Sequence, residues 1–156
     1  MIVTKYPQNS TGDWVNPEYA YTDDENYATA ATSDYLQFRT KWYDFGFSIP
    51  THATINSVTV NVAHKADSPL YRSFSIDSRE GVINFSAYDN TEEILTSVVD
   101  SYAWTPTELN NNAVDGFYIS LMAWSADRAI TSMVNYISVT VDYSVAASNQ
   151  VSMQII

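Results

Sequence analysis

Two histidines, His52 and His64, are the side chains of this 156-residue chain best suited to acid–base chemistry near neutral pH. His52 follows Pro50 in a turn-like stretch, and His64 ends an alternating run beside Lys65, so both are expected at the surface. There is no G-x-S-x-G turn to present a serine nucleophile, and four glycines cannot supply a phosphate-cradling loop. Eighteen acidic residues could contain a glycosidase-type pair, but no spacing singles one out. The sequence therefore predicts a protein that is not an enzyme.

One acidic run carries the only hint of a metal site. Asp23, Asp24 and Glu25, followed by Asn26, gather the hard oxygen ligands that calcium prefers. The run lacks the Asp-x-Asp-x-Asp-Gly spacing of an EF-hand loop. A solvated acidic loop is the stronger interpretation, and Asp23, Asp24 and Glu25 remain weak calcium candidates. No cofactor is expected.

The net negative charge of the chain argues against nucleic acids and anionic membranes as partners. Seven Lys and Arg face eighteen Asp and Glu, which gives a formal charge of −11. Nucleic acids and anionic membrane surfaces both attract Lys and Arg, so neither is an expected partner. The absence of cysteine excludes a disulfide framework and a thiolate metal site. The opening MIVTKYP lacks the basic and apolar regions of a signal peptide, so we expect synthesis in the cytoplasm.

Two-residue alternation dominates the chain and predicts an all-β fold. The clearest strands, rich in β-branched residues, are 55–65, 117–124 and 134–145. Weaker strand candidates are 35–40, 42–49, 72–77, 81–87 and 93–99. About eight strands at such spacings are typical of a single antiparallel β-sandwich, here jelly-roll-like. Thr105, Pro106 and Glu108 form the capping signal of one short helix near 106–112.

Apolar residues also occur at both ends of the chain, outside the strand signals. We therefore divide the chain into an N-terminal arm (1–12), a β-sandwich domain (13–145) and a C-terminal linker with an apolar arm or edge strand (146–156). An exposed apolar end is an aggregation liability unless it adds to a sheet edge. The two ends are either further strands of the same domain or arms that dock on a neighbouring subunit, and both interpretations stay open.

Aromatic residues form 14% of the chain, against 16% charged residues, so aromatic side chains are a large part of any contact surface. On a strand face opposite the core they would form a sugar-stacking platform or a protein interface. A second core face, covered by the long polar stretch 13–34, is the simpler interpretation for most of them. For Tyr118 and Trp124, outside the aliphatic face of their strand, the choice is open. The aromatics crowded into the first third are Tyr19, Tyr21, Tyr27, Tyr35, Trp42 and Tyr43.

Several blocks of the sequence form a recognisable pattern: Tyr35-Leu36, Phe45-Gly46-Phe47-Ser48-Ile49-Pro50, Ala53-Thr54-Ile55, Val58-Thr59-Val60, Trp104-Thr105-Pro106-Thr107-Glu108-Leu109-Asn110, Gly116-Phe117-Tyr118-Ile119-Ser120-Leu121 and 134–143. Together they resemble small β-sandwich structural or decoration-like proteins of tailed-phage and related archaeal-virus virions. Thr51-His52 departs from that pattern, in which a glycine is usual. The opening Trp14-Val15-Asn16-Pro17 and Tyr27-Ala28-Thr29 resemble the first segment of that group and are also similar to galactose-binding-like sandwich modules.

The resemblance implies a non-enzymatic virion protein that decorates or stabilises a capsid and attaches to a head or tail surface through protein contacts. Its implied partners are a major capsid or other virion protein and further copies of itself, as a homo-oligomer in the virion. The alternative is a glycan-binding, receptor-binding module of a virion or cell surface. The expected interface residues are Ile2, Val3, Trp14, Tyr19, Tyr21, Trp124, Val151, Met153, Ile155 and Ile156.

Overall fold

A computed structural model describes residues 1–33, 36–67, 70–76, 82–87, 91–99, 103–124 and 129–146, with 70–76 and 82–87 as backbone. Within these ranges, ten strands form two five-stranded antiparallel sheets, and the prediction of an all-β antiparallel sandwich is confirmed. In chain order the strands are β1 (Ile2–Lys5), β2 (Asn9–Gly12), β3 (Ala28–Thr32), β4 (Gln37–Tyr43), β5 (Thr54–Ala66), β6 (Leu70–Ile76), β7 (Val82–Ala87), β8 (Glu93–Val98), β9 (Tyr118–Trp124) and β10 (Ile130–Ser144).

Sheet A is organised around its longest strand, β10. On one side, β1 pairs with the C-terminal half of β10 and β3 pairs with its N-terminal half. On the other side β5 runs along nearly the whole of β10, and β8 follows as the edge. Sheet B has the order β2-β4-β9-β6-β7, so β4 and β9 lie side by side within it.

The core lies between the two sheets and is filled by the alternate residues of their long strands. Val60 and Val62 of β5 and Val139 of β10 contribute from sheet A, and Ile119 and Leu121 of β9 contribute from sheet B. All five are at most 3% exposed. Full burial of each such aliphatic side chain stabilises the fold by about 1.5–3 kcal/mol, because its apolar area leaves water.

The segment 1–12, which we expected as an arm, lies within the sandwich. β1 pairs with β10 and β2 pairs with β4, which is the geometry of further strands of the same domain. The Met1 ammonium group also donates to the carbonyl of Tyr143 at 2.6 Å. Docking on a neighbouring subunit stays a prediction, and residues 147–156 of the C-terminal segment lie outside the described residues.

The polar stretch 13–34 is anchored by Trp14 and by a 3-10 helix, Pro17–Tyr21. The Trp14 ring packs edge-to-face on Trp42, with ring centroids 5.6 Å apart, and its Nε1 donates to the Phe38 carbonyl at 3.3 Å. Trp14 is only 5% exposed. We expected Trp14 at an interface, but its packing leaves almost none of the side chain for a partner to contact.

The predicted short helix is α1 (Pro106–Leu109), and its capping box is present. Thr105 Oγ1 accepts from the Glu108 backbone at 3.3 Å, and the Glu108 carboxylate accepts from the Thr105 backbone at 2.9 Å. Asn110, the first residue after the helix, accepts a hydrogen bond from the Ile49 N–H at 2.9 Å and donates one to the Ile49 carbonyl at 2.8 Å, both through its side chain. The helix end therefore holds the irregular segment that follows β4. No helix in the described ranges is long and apolar enough to cross a membrane.

Candidate functional site

The strongest candidate site is the outer side of β4 and β9 in sheet B. On β4, Thr40 and Trp42 are fully buried in the core, so the alternate residues point away from it. The same alternation on β9 buries Ile119 and Leu121 in the core and places Ser120, between them, on the outer side of the sheet, where it is covered and only 3% exposed. We call this surface the β4–β9 face, and it consists of Gln37, Arg39, Lys41, Tyr43, Tyr118, Ser120, Met122 and Trp124.

The register of β4 and β9 arranges these eight residues in four rows of directly opposed pairs. Tyr43 lies opposite Tyr118 at one end of the face. Gln37 lies opposite Trp124 at the other end. From Tyr118 to Trp124 the strand advances six residues, or about 20 Å at the usual rise per residue. The face is therefore an open strip with aromatic rings at both ends.

The two middle rows carry the cations of this face. Lys41, opposite Ser120, places its Nζ 4.1 Å from the centroid of the Tyr118 ring. Arg39, opposite Met122, points Nη2 at Met122 Sδ, 3.4 Å away. In the part of the chain that the structure describes, neither cation forms an ion pair.

The rings of the β4–β9 face are held in place by their neighbours. Tyr43, Tyr118, Met122 and Trp124 are all partly buried, and Lys41 covers part of the Tyr118 ring. A partly buried ring has few accessible rotamers, so little side-chain entropy is lost when a ligand stacks on its exposed side. The groups that remain accessible on the face are its aromatic rings, the Gln37 amide and the two cations.

The other expected interface residues do not gather at this face. Ile2, 75% exposed, and Val3, packed against the core, lie in β1 of sheet A. Tyr19 and Tyr21 lie in the 3-10 helix, and Tyr19 is 38% exposed. Trp124 alone belongs to the β4–β9 face. The expected residues outside the described ranges are Val151, Met153, Ile155 and Ile156.

The Tyr21 hydroxyl is fixed against sheet B. It lies 2.8 Å from the Ser10 hydroxyl of β2. Burial raises the pKa of Tyr21, a rise that the hydrogen bond to Ser10 opposes and nearby Glu18 reinforces. This tyrosine therefore helps to attach the 3-10 helix to the sheet.

Asp23 and Asp24, two of the three weak calcium candidates, direct their carboxylates to different partners. The Asp24 carboxylate accepts from the Asn26 backbone and the Thr22 hydroxyl, both at 3.1 Å, and the hydrogen bonds from Asn26 lower the pKa of Asp24. Asp23 instead reaches Asn135 of β10, whose Nδ2 donates to it at 3.0 Å. Glu25 adopts a positive φ of 63°. Across the described residues, no three acidic or histidine side chains are placed to share a metal ion.

A second polar cluster lies around Asn135, and its charges are largely used within the protein. Asn135 Nδ2 also donates to Glu92 at 3.4 Å, and the Tyr27 hydroxyl donates to the same carboxylate at 2.8 Å. Lys65 Nζ lies 3.8 Å from the centroid of the Tyr27 ring. This cluster ties the segment before β3 to sheet A, which is a structural role.

Only one of the two histidines lies at the surface, where we expected both. His52 is exposed in the turn after Pro50, as predicted. His64 is only 3% exposed, so the prediction of a surface position is wrong. The physical reason is the register: His64 lies opposite the buried Val134 of β10 and shares its core-facing side.

A small cleft opens beside α1, between β5 and Trp104. Its volume is about 130 Å³, and its lining includes Ile55, Val58 and Val99. Pockets that enclose a small-molecule ligand usually have volumes of about 300–1,000 Å³. The β4–β9 face, which is open and much longer, is the better candidate.

Neither a family model nor a curated protein matches this chain. Among solved structures, the C-terminal CBM6 of LamC, a marine laminarinase from Zobellia galactanivorans, is 10% identical, with a TM-score of 0.48 over 90% of this chain and 99% of that one. A CBM4 structure is 14% identical, with a TM-score of 0.49 over 92% and 94%. CBM29_1, a family 29 carbohydrate-binding module from Piromyces equi, is 10% identical, with a TM-score of 0.43 over 90% and 89%. These neighbours are carbohydrate-binding modules, and at identities of 10–14% they do not show what this chain binds.

Proposed function

We propose that this protein is a non-catalytic glycan-binding module and that the β4–β9 face holds the carbohydrate. The observation that carries the proposal is the placement of three partly buried rings, Tyr43, Tyr118 and Trp124, on the outer side of neighbouring strands. Tyrosine and tryptophan combine a flat apolar surface with a polar tip. A sugar ring has the complementary form, an apolar C–H face edged by hydroxyl groups.

The open shape of the face suits an extended glycan chain. Sugar units would stack on Tyr43 and Tyr118 at one end and on Trp124 at the other, about 20 Å apart along β9. Gln37, at the Trp124 end, and the exposed Thr11 of β2, which lies opposite Lys41, can exchange hydrogen bonds with sugar hydroxyls. Stacking supplies most of the affinity, and these polar groups select among sugars.

The proposal is tested by removing the rings singly. We expect Tyr118→Ala and Trp124→Ala each to weaken glycan binding about tenfold or more, measured by affinity electrophoresis and calorimetry on a panel of neutral and acidic polysaccharides, because each loses an aromatic contact. Tyr19→Ala is the matched control, since Tyr19 is exposed but lies outside the face. Equal losses in all three variants, or unchanged binding by the two face variants, would refute the proposal.

A second candidate function is attachment to a protein surface, including the virion role that the sequence resemblance implies. The observation that favours it is a set of exposed apolar side chains on sheet A: Ile2 is 75%, Ile94 58% and Val98 54% exposed. Such side chains at sheet edges favour contact with another chain. Sedimentation velocity of the wild type and of an Ile94→Ser, Val98→Ser variant tests self-association. A wild-type monomer at high concentration would contradict the predicted homo-oligomer.

A further inference from the structure

We propose that the glycan bound by the β4–β9 face is anionic, and that Arg39 and Lys41 contact its carboxylate or sulfate groups. This inference rests on the proposed function and adds the class of ligand to it. Both cations project from β4 on the same side, two residues apart, which places their Cα atoms about 7 Å from each other. They occupy the two rows between the aromatic ends of the face.

The charge distribution is the first reason. The chain has only seven Lys and Arg residues but eighteen Asp and Glu residues, so each cation has many carboxylates available as partners. The N-terminal ammonium group uses one of them and lies 3.5 Å from Asp142. In the described ranges Arg39 and Lys41 have no such partner. These two cations lie side by side without an ion-pair partner in an acidic protein. A ligand that carries negative charge is therefore complementary to them.

The geometry of each cation is the second reason. Lys41 holds its ammonium group over the Tyr118 ring, beside the surface on which a sugar would stack. Arg39 uses one nitrogen on Met122 Sδ, which is a weak acceptor. Its remaining N–H groups can form the paired hydrogen bonds that a guanidinium makes to a planar carboxylate or to sulfate oxygens. A glycan stacked on Tyr118 would therefore bring an acidic substituent between the two cations.

The nearby carboxylates do not neutralise this pair. Asp13 accepts from the backbone N–H of Arg39 at 3.2 Å, and Asp44 accepts from the Asn9 side chain at 2.8 Å. Among the described residues, neither carboxylate forms an ion pair with Arg39 or Lys41. Salt near physiological strength screens charges that are more than about 8 Å apart, so it weakens the field of the whole chain more than it weakens a direct contact with Arg39 or Lys41.

The test compares polymers that differ only in charge. Dextran sulfate is paired with dextran, and polygalacturonate is paired with its methyl ester, so that one pair reports sulfate recognition and the other reports carboxylate recognition. We expect the wild type to bind at least one anionic polymer about tenfold or more tightly than its neutral counterpart. This preference should shrink as salt rises from about 50 to about 300 mM, because screening weakens charge contacts.

Charge-neutralising variants locate the effect. Arg39→Gln and Lys41→Gln should each weaken binding of the anionic polymer by about tenfold or more and should weaken binding of its neutral counterpart less, so that the preference for the charged polymer shrinks. Lys65→Gln is the matched control, since Lys65 also stacks on a tyrosine, Tyr27, but on sheet A. Thermal unfolding of each variant confirms that it is folded.

The outcomes separate the two proposals. Equal affinity for both members of each pair, with binding still abolished by Trp124→Ala, would overturn the anionic inference and leave the glycan-binding proposal intact. An anionic preference that Lys65→Gln reduces as much as Arg39→Gln does would also overturn it, because net charge rather than this face would be responsible. No binding to any charged or neutral polymer would overturn both.

Discussion

Replacement of Trp14 by alanine removes an indole that is 5% exposed and packed edge-to-face on Trp42. The substitution deletes a large aromatic side chain from the core and the hydrogen bond from Nε1 to the Phe38 carbonyl. Truncations of this kind cost about 3–5 kcal/mol of unfolding free energy. For a chain of this length we expect the melting temperature to fall by about 6–20 °C. The bond from the Trp14 backbone to Thr40 Oγ1, at 3.0 Å, is unaffected by the change.

Urea unfolding monitored by circular dichroism measures this loss directly. Trp14→Phe retains a ring but loses the hydrogen bond, so we expect it to lose less stability than Trp14→Ala. Tyr19→Ala, which removes an exposed aromatic nearby, should change the unfolding free energy by less than about 1 kcal/mol. If Trp14→Ala were as stable as the wild type and changed only its self-association, Trp14 would be the interface residue that the sequence indicated, and our account of the core would be incorrect.

Two further predictions concern stability. Asn110→Ala removes both hydrogen bonds to the backbone of Ile49 and should lower the free energy of unfolding, measured in urea, by about 1–3 kcal/mol. The control Asn112→Ala removes one exposed hydrogen bond from the Gly46 backbone and should lower it less. Equal losses in the two variants would contradict this prediction. Because burial raises the pKa of Tyr21 in the folded protein, its contribution to stability is complete below the unfolded tyrosine pKa and should decline as the pH rises above about 10. Tyr21→Phe should flatten the dependence of unfolding free energy on pH between about 9 and 11, and an unchanged slope would exclude Tyr21 as its source.

Much of the fold could be predicted because alternation and capping are local signals. The predicted strands 55–65 and 117–124 coincide closely with β5 and β9, and α1 begins where its capping box placed it. The third clear strand, β10, begins at Ile130 rather than near 134. A bulge between Val134 and Tyr136 reverses which residues face the core, so one continuous alternation does not describe the whole strand.

β3 was missed for a different reason. Its sequence, ATAAT, contains few of the β-branched and aromatic residues that mark a strand, and it is held by pairing with β10. The N-terminal strands β1 and β2 are only four residues long and were read as part of an arm. All three elements depend on distant partners that a local pattern cannot show.

The candidate site was only partly visible in the sequence. For Tyr118 and Trp124 the sequence allows either a second core face or a contact surface, and both residues lie on the β4–β9 face. Arg39 and Lys41 were missed because residues 35–49 were divided into two strands between Thr40 and Trp42. The structure has one strand, β4, followed by an irregular segment. The alternation of Thr40 and Trp42 with Arg39 and Lys41 was available as a signal, but the pairing of β4 with β9 was not.

The central place of β10 has a consequence for the order of folding. β1 and β3 make their strand pairs in sheet A with β10, and β10 is the last of the described strands to leave the ribosome. Contacts such as that between Thr4 and Thr140 join positions 136 residues apart. Loops of this size must close before their contacts stabilise the chain, which slows folding. Until β10 is synthesised, sheet A can consist only of the β5–β8 pair, and the nascent chain exposes one whole edge of β5.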